Sequence, residues 1–330
     1  VLSAVLVPQL SVSDENMHYL RAYGISQGRV ESGSRCTLPK DVAKRAGSVY
    51  EGNFSADYSK PIDRNILDVD KCSSASGYPP IMHLPQAVGI NIANIFGGST
   101  GLTILFGRLA NLIFYSFALY FIIKWVRVGK WVFVVIGLIP LMVHMAASLS
   151  SDCVTNVAVF VITALTLNLF TQKNALSNKQ IAALVCTGIL LTLTKSINAL
   201  LLFPLIFLPK HLFAANKNKN IPFNIQKWAI LIMIGVAAII SLLIWQKIFG
   251  QPLLTTGTTH NPLHSNPLKF IQILFNTYMN PTIGYTDIVL RGSVGDFSSF
   301  KYHLPLFVLI PLFSLLSLSL LHYNKKDQEL

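Results

Sequence analysis

Residues 102–123, LTILFGRLANLIFYSFALYFII, decide the fold. The run carries one charge, Arg108, and is long enough to cross a bilayer, which takes about 20 apolar residues. Comparable runs recur at 131–150, 153–171, 177–194, 196–213, 228–246 and 304–322. Composition points the same way. Of 330 residues, 52% are hydrophobic and 12% charged, and the mean hydropathy is +0.53. A soluble domain carries about 25% charged residues. An ordinary cytosolic enzyme, a disordered chain, a collagen and a disulfide-dense secreted scaffold are all excluded. The expected fold class is all-α, a polytopic transmembrane helix bundle.

Charge sets the expected orientation. The net charge is +12, which in a soluble protein would suggest a nucleic-acid partner. Here the excess collects in short loops. Lys124, Arg127, Lys130, Lys173, Lys179, Lys210, Lys217, Lys219, Lys227, Lys325 and Lys326 fall on one side, opposed only by Asp327 and Glu329. Lys and Arg are retained on the cytoplasmic side of a membrane. The long first loop balances nine basic against nine acidic residues. The charge is therefore topology, and no nucleic acid is implied.

The map depends on residues 81–96, IMHLPQAVGINIANIF, which are apolar but short and contain His83, Pro85, Gln86, Asn91 and Asn94. They read as an interfacial or protein-packed helix rather than a crossing one. Residues 1–10 then form the outer end of a first transmembrane helix, and 11–100 an extracytoplasmic loop with interfacial helices. Residues 101–246 are transmembrane helices, 247–303 a second extracytoplasmic loop, and 304–330 a further transmembrane helix with a cytoplasmic tail. Both ends of 177–213 are basic, so this region reads as a hairpin with its tip at Lys195-Ser196 on the outer side.

That topology gathers ionisable residues on the outer face. Asp14, Glu15 and His18 follow the first span, Asp152 joins two spans, Lys195 sits at the hairpin tip, and Arg108 lies near the outer end of its helix. Charges at membrane depth are expensive and usually face a cavity or a partner. Plainer roles compete. Asp14-Glu15 can favour a helix start capped by Ser13. Asp152 can pair with Arg108 or Lys195 to hold spans together, Arg108 can snorkel, and His18 can be a structural hydrogen-bonder. His260, His264 and His303 lack metal-ligand spacing, and Pro262 argues against a helix carrying the first two. No phosphate-binding glycine loop, dinucleotide fingerprint or nucleophile elbow is present. Cys36 and Cys72 share the first outer loop, where a disulfide is a candidate. Asn53-Phe54-Ser55 fits a glycosylation acceptor.

The stretches SVSDENMHYLRAYGISQG (11–28), YPPIMHLPQAVGINIANIFG (78–97), FGRLANLIFYSFALYFI (106–122), PLMVHMAASLSSDCVTNVAVF (140–160) and LTLTKSINALLLFPL (191–205) resemble a family of predicted bacterial membrane proteins grouped with the GT-C glycosyltransferases. The likeness is strong over about residues 8–210 and weaker over 280–320. It implies a GT-C-like fold in the bacterial plasma membrane and a sugar donor linked to polyprenyl phosphate. It implies catalytic carboxylates at Asp14, Glu15 and Asp152. His18, Arg108, Lys195 and Tyr78, the last in the Tyr78-Pro79-Pro80 motif, would bind substrate. Asp14, Glu15 and Asp152 are also the candidate ligands of Mg²⁺ or Mn²⁺, with metal-free chemistry equally open. The chain departs from the wider group in ending after about eight spans.

Two other classes stay open on the residues alone. A transporter or flippase of lipid-linked sugars would use the same charges along a path, although no repeated half is evident. A non-catalytic subunit of an envelope-assembly complex would use them for contacts.

Overall fold

The computed structural model describes residues 1–29, 37–68, 74–213, 223–249, 267–279, 296–297 and 302–321. Among these the fold is helical. Its strands are two-residue pairs: β1 (Leu38–Pro39) lies antiparallel to β2 (Leu67–Asp68), and β3 (Asp296–Phe297) to β4 (Tyr302–His303). The candidate disulfide Cys36–Cys72 and the histidines His260 and His264 lie outside the described residues, as do Lys217, Lys219 and the basic residues after 321.

Among the described residues, three helices are long and apolar enough to cross a membrane: Thr100–Trp125, Asp152–Phe170 and Ile225–Lys247. They belong to α5 (Thr100–Trp125), α8 (Asp152–Phe170) and α10 (Phe223–Phe249), and they correspond to the expected runs at 102–123, 153–171 and 228–246. Ser99 caps α5, its hydroxyl accepting from the Leu102 amide at 3.3 Å. The run at 177–194 forms α9 (Asn178–Thr194), which opens with a reciprocal Ser177–Gln180 capping box. Residues 304–322 contribute α12 (Leu306–Leu321), and α11 (Pro267–Met279) precedes it.

Two expected spans take another form. The run at 131–150 breaks into α6 (Lys130–Gly137) and α7 (Pro140–Ala146), each too short to cross a bilayer. The cause is Pro140. It has no N–H to donate, and it pushes Ile139 out of helical geometry to ψ 134 before starting α7 at its first position. The run at 196–213 is wound as 3₁₀ turns over Ser196–Phe207 and Lys210–Phe213, with Pro204 inside the first. The chain does break where the hairpin reading put it. Lys195 is extended at ψ 125 between α9 and the 3₁₀ segment. At the opposite end of the hairpin, Lys227 donates to the Ile206 and Leu208 carbonyls at 2.6 and 2.8 Å and closes that segment's last turn.

Before α5 the chain builds a helical cap from α1 (Leu2–Leu6), α2 (Glu15–Ser26), α3 (Lys40–Gly47) and α4 (Leu84–Ile95). Its core joins Leu10, Tyr19, Tyr23, Val42, Ile90, Ile104 and Leu149. At 12 residues, α4 is short of a crossing length. It buries two polar side chains beside Ile90 and exposes four large apolar ones. Gln86 and Asn94 are buried, while Leu84, Val88, Ile92 and Ile95 are exposed. That is the arrangement of a helix with protein on its polar side and an apolar medium on the other. α4 lies hard against α5 because of glycine. A Cβ on Gly89 would run into the Phe106 carbonyl oxygen, and one on Gly107 would stand 3.3 Å from Ile90 Cγ1 on α4.

Candidate functional site

Arg108 organises the site. It projects from α5 with no solvent exposure and uses all five N–H groups. Nε and Nη2 meet the two Glu15 carboxylate oxygens at 2.8 and 2.6 Å. The remaining donors reach the carbonyls of Ala4, Val7 and Pro8 at 3.2, 2.7 and 2.9 Å. Glu15 Oε1 also accepts from the Leu149 amide at 3.0 Å. One ion pair therefore ties the chain's first turn, α2, α5 and the turn at 148–151 together. A buried ion pair is tolerable when its remaining hydrogen-bonding capacity is filled, and here it is filled.

The 148–151 turn is held from two more sides. Gln86 on α4 donates to the Ser150 carbonyl at 2.9 Å, and Asn111 on α5 donates to Ser148 at 2.8 Å. The turn delivers Asp152 to the first position of α8, its amide bonded to Ser150 Oγ at 3.1 Å. Asp152 meets Lys195 at 2.7 Å. This pair is not interior: the Lys195 and Asp152 side chains are 40% and 33% exposed. Burial alone would lower the Lys195 ammonium, but the charge and hydrogen bond of Asp152, with Tyr78 nearby, outweigh it. The net shift is upward, so Lys195 stays cationic.

Asp14 sits just before α2, exposed and at φ 57. That left-handed conformation costs a non-glycine residue on the order of 1 kcal/mol. Its carbonyl accepts from the His18 amide one turn on. The His18 ring lies over Tyr78, centroids 6.2 Å apart, and its Nδ1 is 2.9 Å from His83 Nε2. Burial lowers the His18 pKa; Asp152, Asp14 and Glu15 pull it back up, and Lys195 adds to the lowering. Burial lowers the His83 pKa well below the ordinary value, with His18 and Arg21 adding to the effect. Tyr78 is fixed through its backbone, its carbonyl accepting from Arg21 Nη2 at 3.1 Å. The neighbouring Gly77 carbonyl accepts from Trp245 Nε1 on α10 at 2.9 Å.

An apolar groove of about 590 Å³ lies between α4 and helices α5, α8 and α9. Ile81, Val88, Ile113, Val154 and Leu190 are among its walls. Val154 lies on α8 and Leu190 on α9, the two helices whose ends carry Asp152 and Lys195.

The sequence-based set thus divides. Asp14, His18, Tyr78, Asp152 and Lys195 form one electrostatic neighbourhood around His18 and the Asp152–Lys195 pair. Glu15 and Arg108 lie behind it, fully engaged with each other and with backbone. Asp14, Glu15 and Asp152 do not assemble as a metal site. Among the described residues no group of three or more acidic, histidine or cysteine side chains could hold a metal ion, and the Glu15 oxygens already have partners. His83, Gln86 and Asn111 went unassigned at the level of sequence. Their signal was the presence of polar side chains inside apolar helical runs.

The helices and this buried polar framework define a membrane protein. Residues 1–322 match the model of a family described as predicted membrane protein, DUF2142, and the chain belongs to that family. No curated protein and no solved structure matches it.

Proposed function

We propose that this protein is a membrane-embedded glycosyltransferase of the bacterial plasma membrane, of GT-C type and inverting. It takes a sugar from a polyprenyl-phosphate donor at the outer face, where the first loop lies, and modifies a glycan, lipid or protein of the cell envelope. One observation carries the reading: an exposed carboxylate, a half-exposed ion pair and an imidazole–tyrosine stack share one electrostatic neighbourhood, on a helical framework that also holds an apolar groove. An amphiphile with an anionic head and a long apolar tail fits that combination better than a free sugar nucleotide does.

In this reading Asp14 accepts the proton of the acceptor hydroxyl as its oxygen attacks the anomeric carbon. The bond from that carbon to the donor phosphate breaks, and polyprenyl phosphate leaves. Lys195 stabilises the charge that develops on the phosphate, and Asp152 holds Lys195 in place. Tyr78 and His18 line the head-group region. Arg108 has no free N–H for a phosphate, so its role is to hold Glu15 and the 148–151 turn.

The test compares envelope glycans and accumulated lipid-linked sugars in wild type, a deletion strain and an Asp14→Asn strain at matched protein levels. Loss of one glycan with donor accumulation in both altered strains is expected. A normal envelope in Asp14→Asn would remove the assigned base. Movement of a lipid-linked sugar across proteoliposomes without bond cleavage would replace transfer with transport.

A further inference from the structure

His83 is completely buried, and His18 is 9% exposed. Their rings meet edge to edge at 2.9 Å, centroids 5.2 Å apart, so one proton lies between His18 Nδ1 and His83 Nε2. The other ring nitrogen of His83, Nδ1, is buried and has no hydrogen-bond partner among the described residues. This decides which way the proton points. A neutral imidazole has one N–H and one lone pair. If His18 donated, the His83 proton would sit on Nδ1 as an orphaned buried donor. If His83 donates from Nε2, only a lone pair is left unmet at its Nδ1. Orphaned N–H groups are the rarer and costlier of the two. His83 therefore donates, His18 accepts at Nδ1, and the His18 proton is left on Nε2.

We infer that His83 is a positioning residue that fixes His18 as a neutral Nε2–H donor within the candidate site. What that N–H binds rests on the transferase reading: an oxygen of the donor phosphate or of its sugar. The assignment separates His18 from Asp14. With its one lone pair engaged by His83, His18 is not the base. Becoming cationic would force the His83 proton onto the orphaned Nδ1. The charged groups around His18 are Asp14, Glu15, Asp152 and Lys195, and Arg21 faces His83. The three carboxylates favour an imidazolium, so the ring's neutrality depends on burial and on the proton donated by His83.

Two measurements on the full chain test this. The first is nitrogen-15 NMR of histidine-labelled protein in lipid nanodiscs near neutral pH, with signals assigned through His18→Gln and His83→Gln. Both rings should be neutral with the proton on Nε2. A proton on His18 Nδ1, or an imidazolium at His18, would overturn the inference whether or not the protein transfers sugar. The second compares transfer by His83→Gln, whose amide can still donate from a similar position, with His83→Leu. His83→Leu should lose about tenfold in kcat, the worth of one hydrogen bond, and His83→Gln should recover most of it. Equal loss in both would overturn the positioning role. Absence of transfer in wild type would sink the transferase reading and leave the NMR result to decide the histidine pair.

Discussion

Two acid–base pairs stand close together in this protein and are built in opposite ways. Glu15–Arg108 has no exposure, a bidentate geometry and every remaining donor satisfied by backbone. Asp152–Lys195 is a single 2.7 Å contact between side chains that are a third or more exposed. The first has nothing left to offer a ligand. The second is anchored by the first, through the Leu149 amide and the 148–151 turn, and remains open. The same residue chemistry thus serves as a fastener in one place and as an available charge in the other. Burial and leftover hydrogen-bonding capacity tell the two apart.

The sharpest way to break this contrast is Arg108→Met. It leaves the Glu15 carboxylate buried without its cation and should destabilise the fold by about 3–5 kcal/mol, as loss of one partner from a buried pair does. Thermal unfolding in detergent, or failure of the protein to accumulate, reads it out. Adding Glu15→Gln to Arg108→Met should restore part of the loss. Next is Gly89→Leu, which drives a side chain into the Phe106 carbonyl. Overpacking there should cost about 1–3 kcal/mol and separate α4 from α5, with transfer falling in step with stability.

A smaller effect concerns pH. His18 and His83 are both held below the ordinary histidine value of 6.5 in the folded chain. The unfolded chain therefore binds protons first as pH falls. The stability linked to the neutral rings is fully present above about 6.5 and is lost as pH drops toward the folded values. The unfolding temperature should decline on acidification below that point, and His83→Leu should flatten the decline. An unfolding temperature that rises on acidification would contradict the neutral pair.

Much of the helical layout was legible because span length and charge are local properties. The run around Arg108 and those at 153–171 and 228–246 became long helices, and the chain turns at Lys195. The broken run at 131–150 carried its own warning in Pro140, which the apolar count around it concealed. Pro204 did the same for 196–213. The partnerships were not legible. Asp152 could have met Arg108 or Lys195, and Arg108 instead closes on Glu15, 93 positions away in the chain. The His18–His83 contact spans 65 positions. Such pairings depend on how α2, α4 and α5 pack, and no spacing within one segment encodes that.

The most direct test of the central claim is Lys195→Met, assayed for thermal stability and for transfer on the same purified sample. A solvent-accessible ion pair with a single contact contributes about 0–1 kcal/mol. The account therefore predicts an unfolding temperature close to wild type with transfer abolished. A marked drop in unfolding temperature with transfer retained by the surviving folded protein would show that Asp152–Lys195 is a second fastener and not the open end of a site.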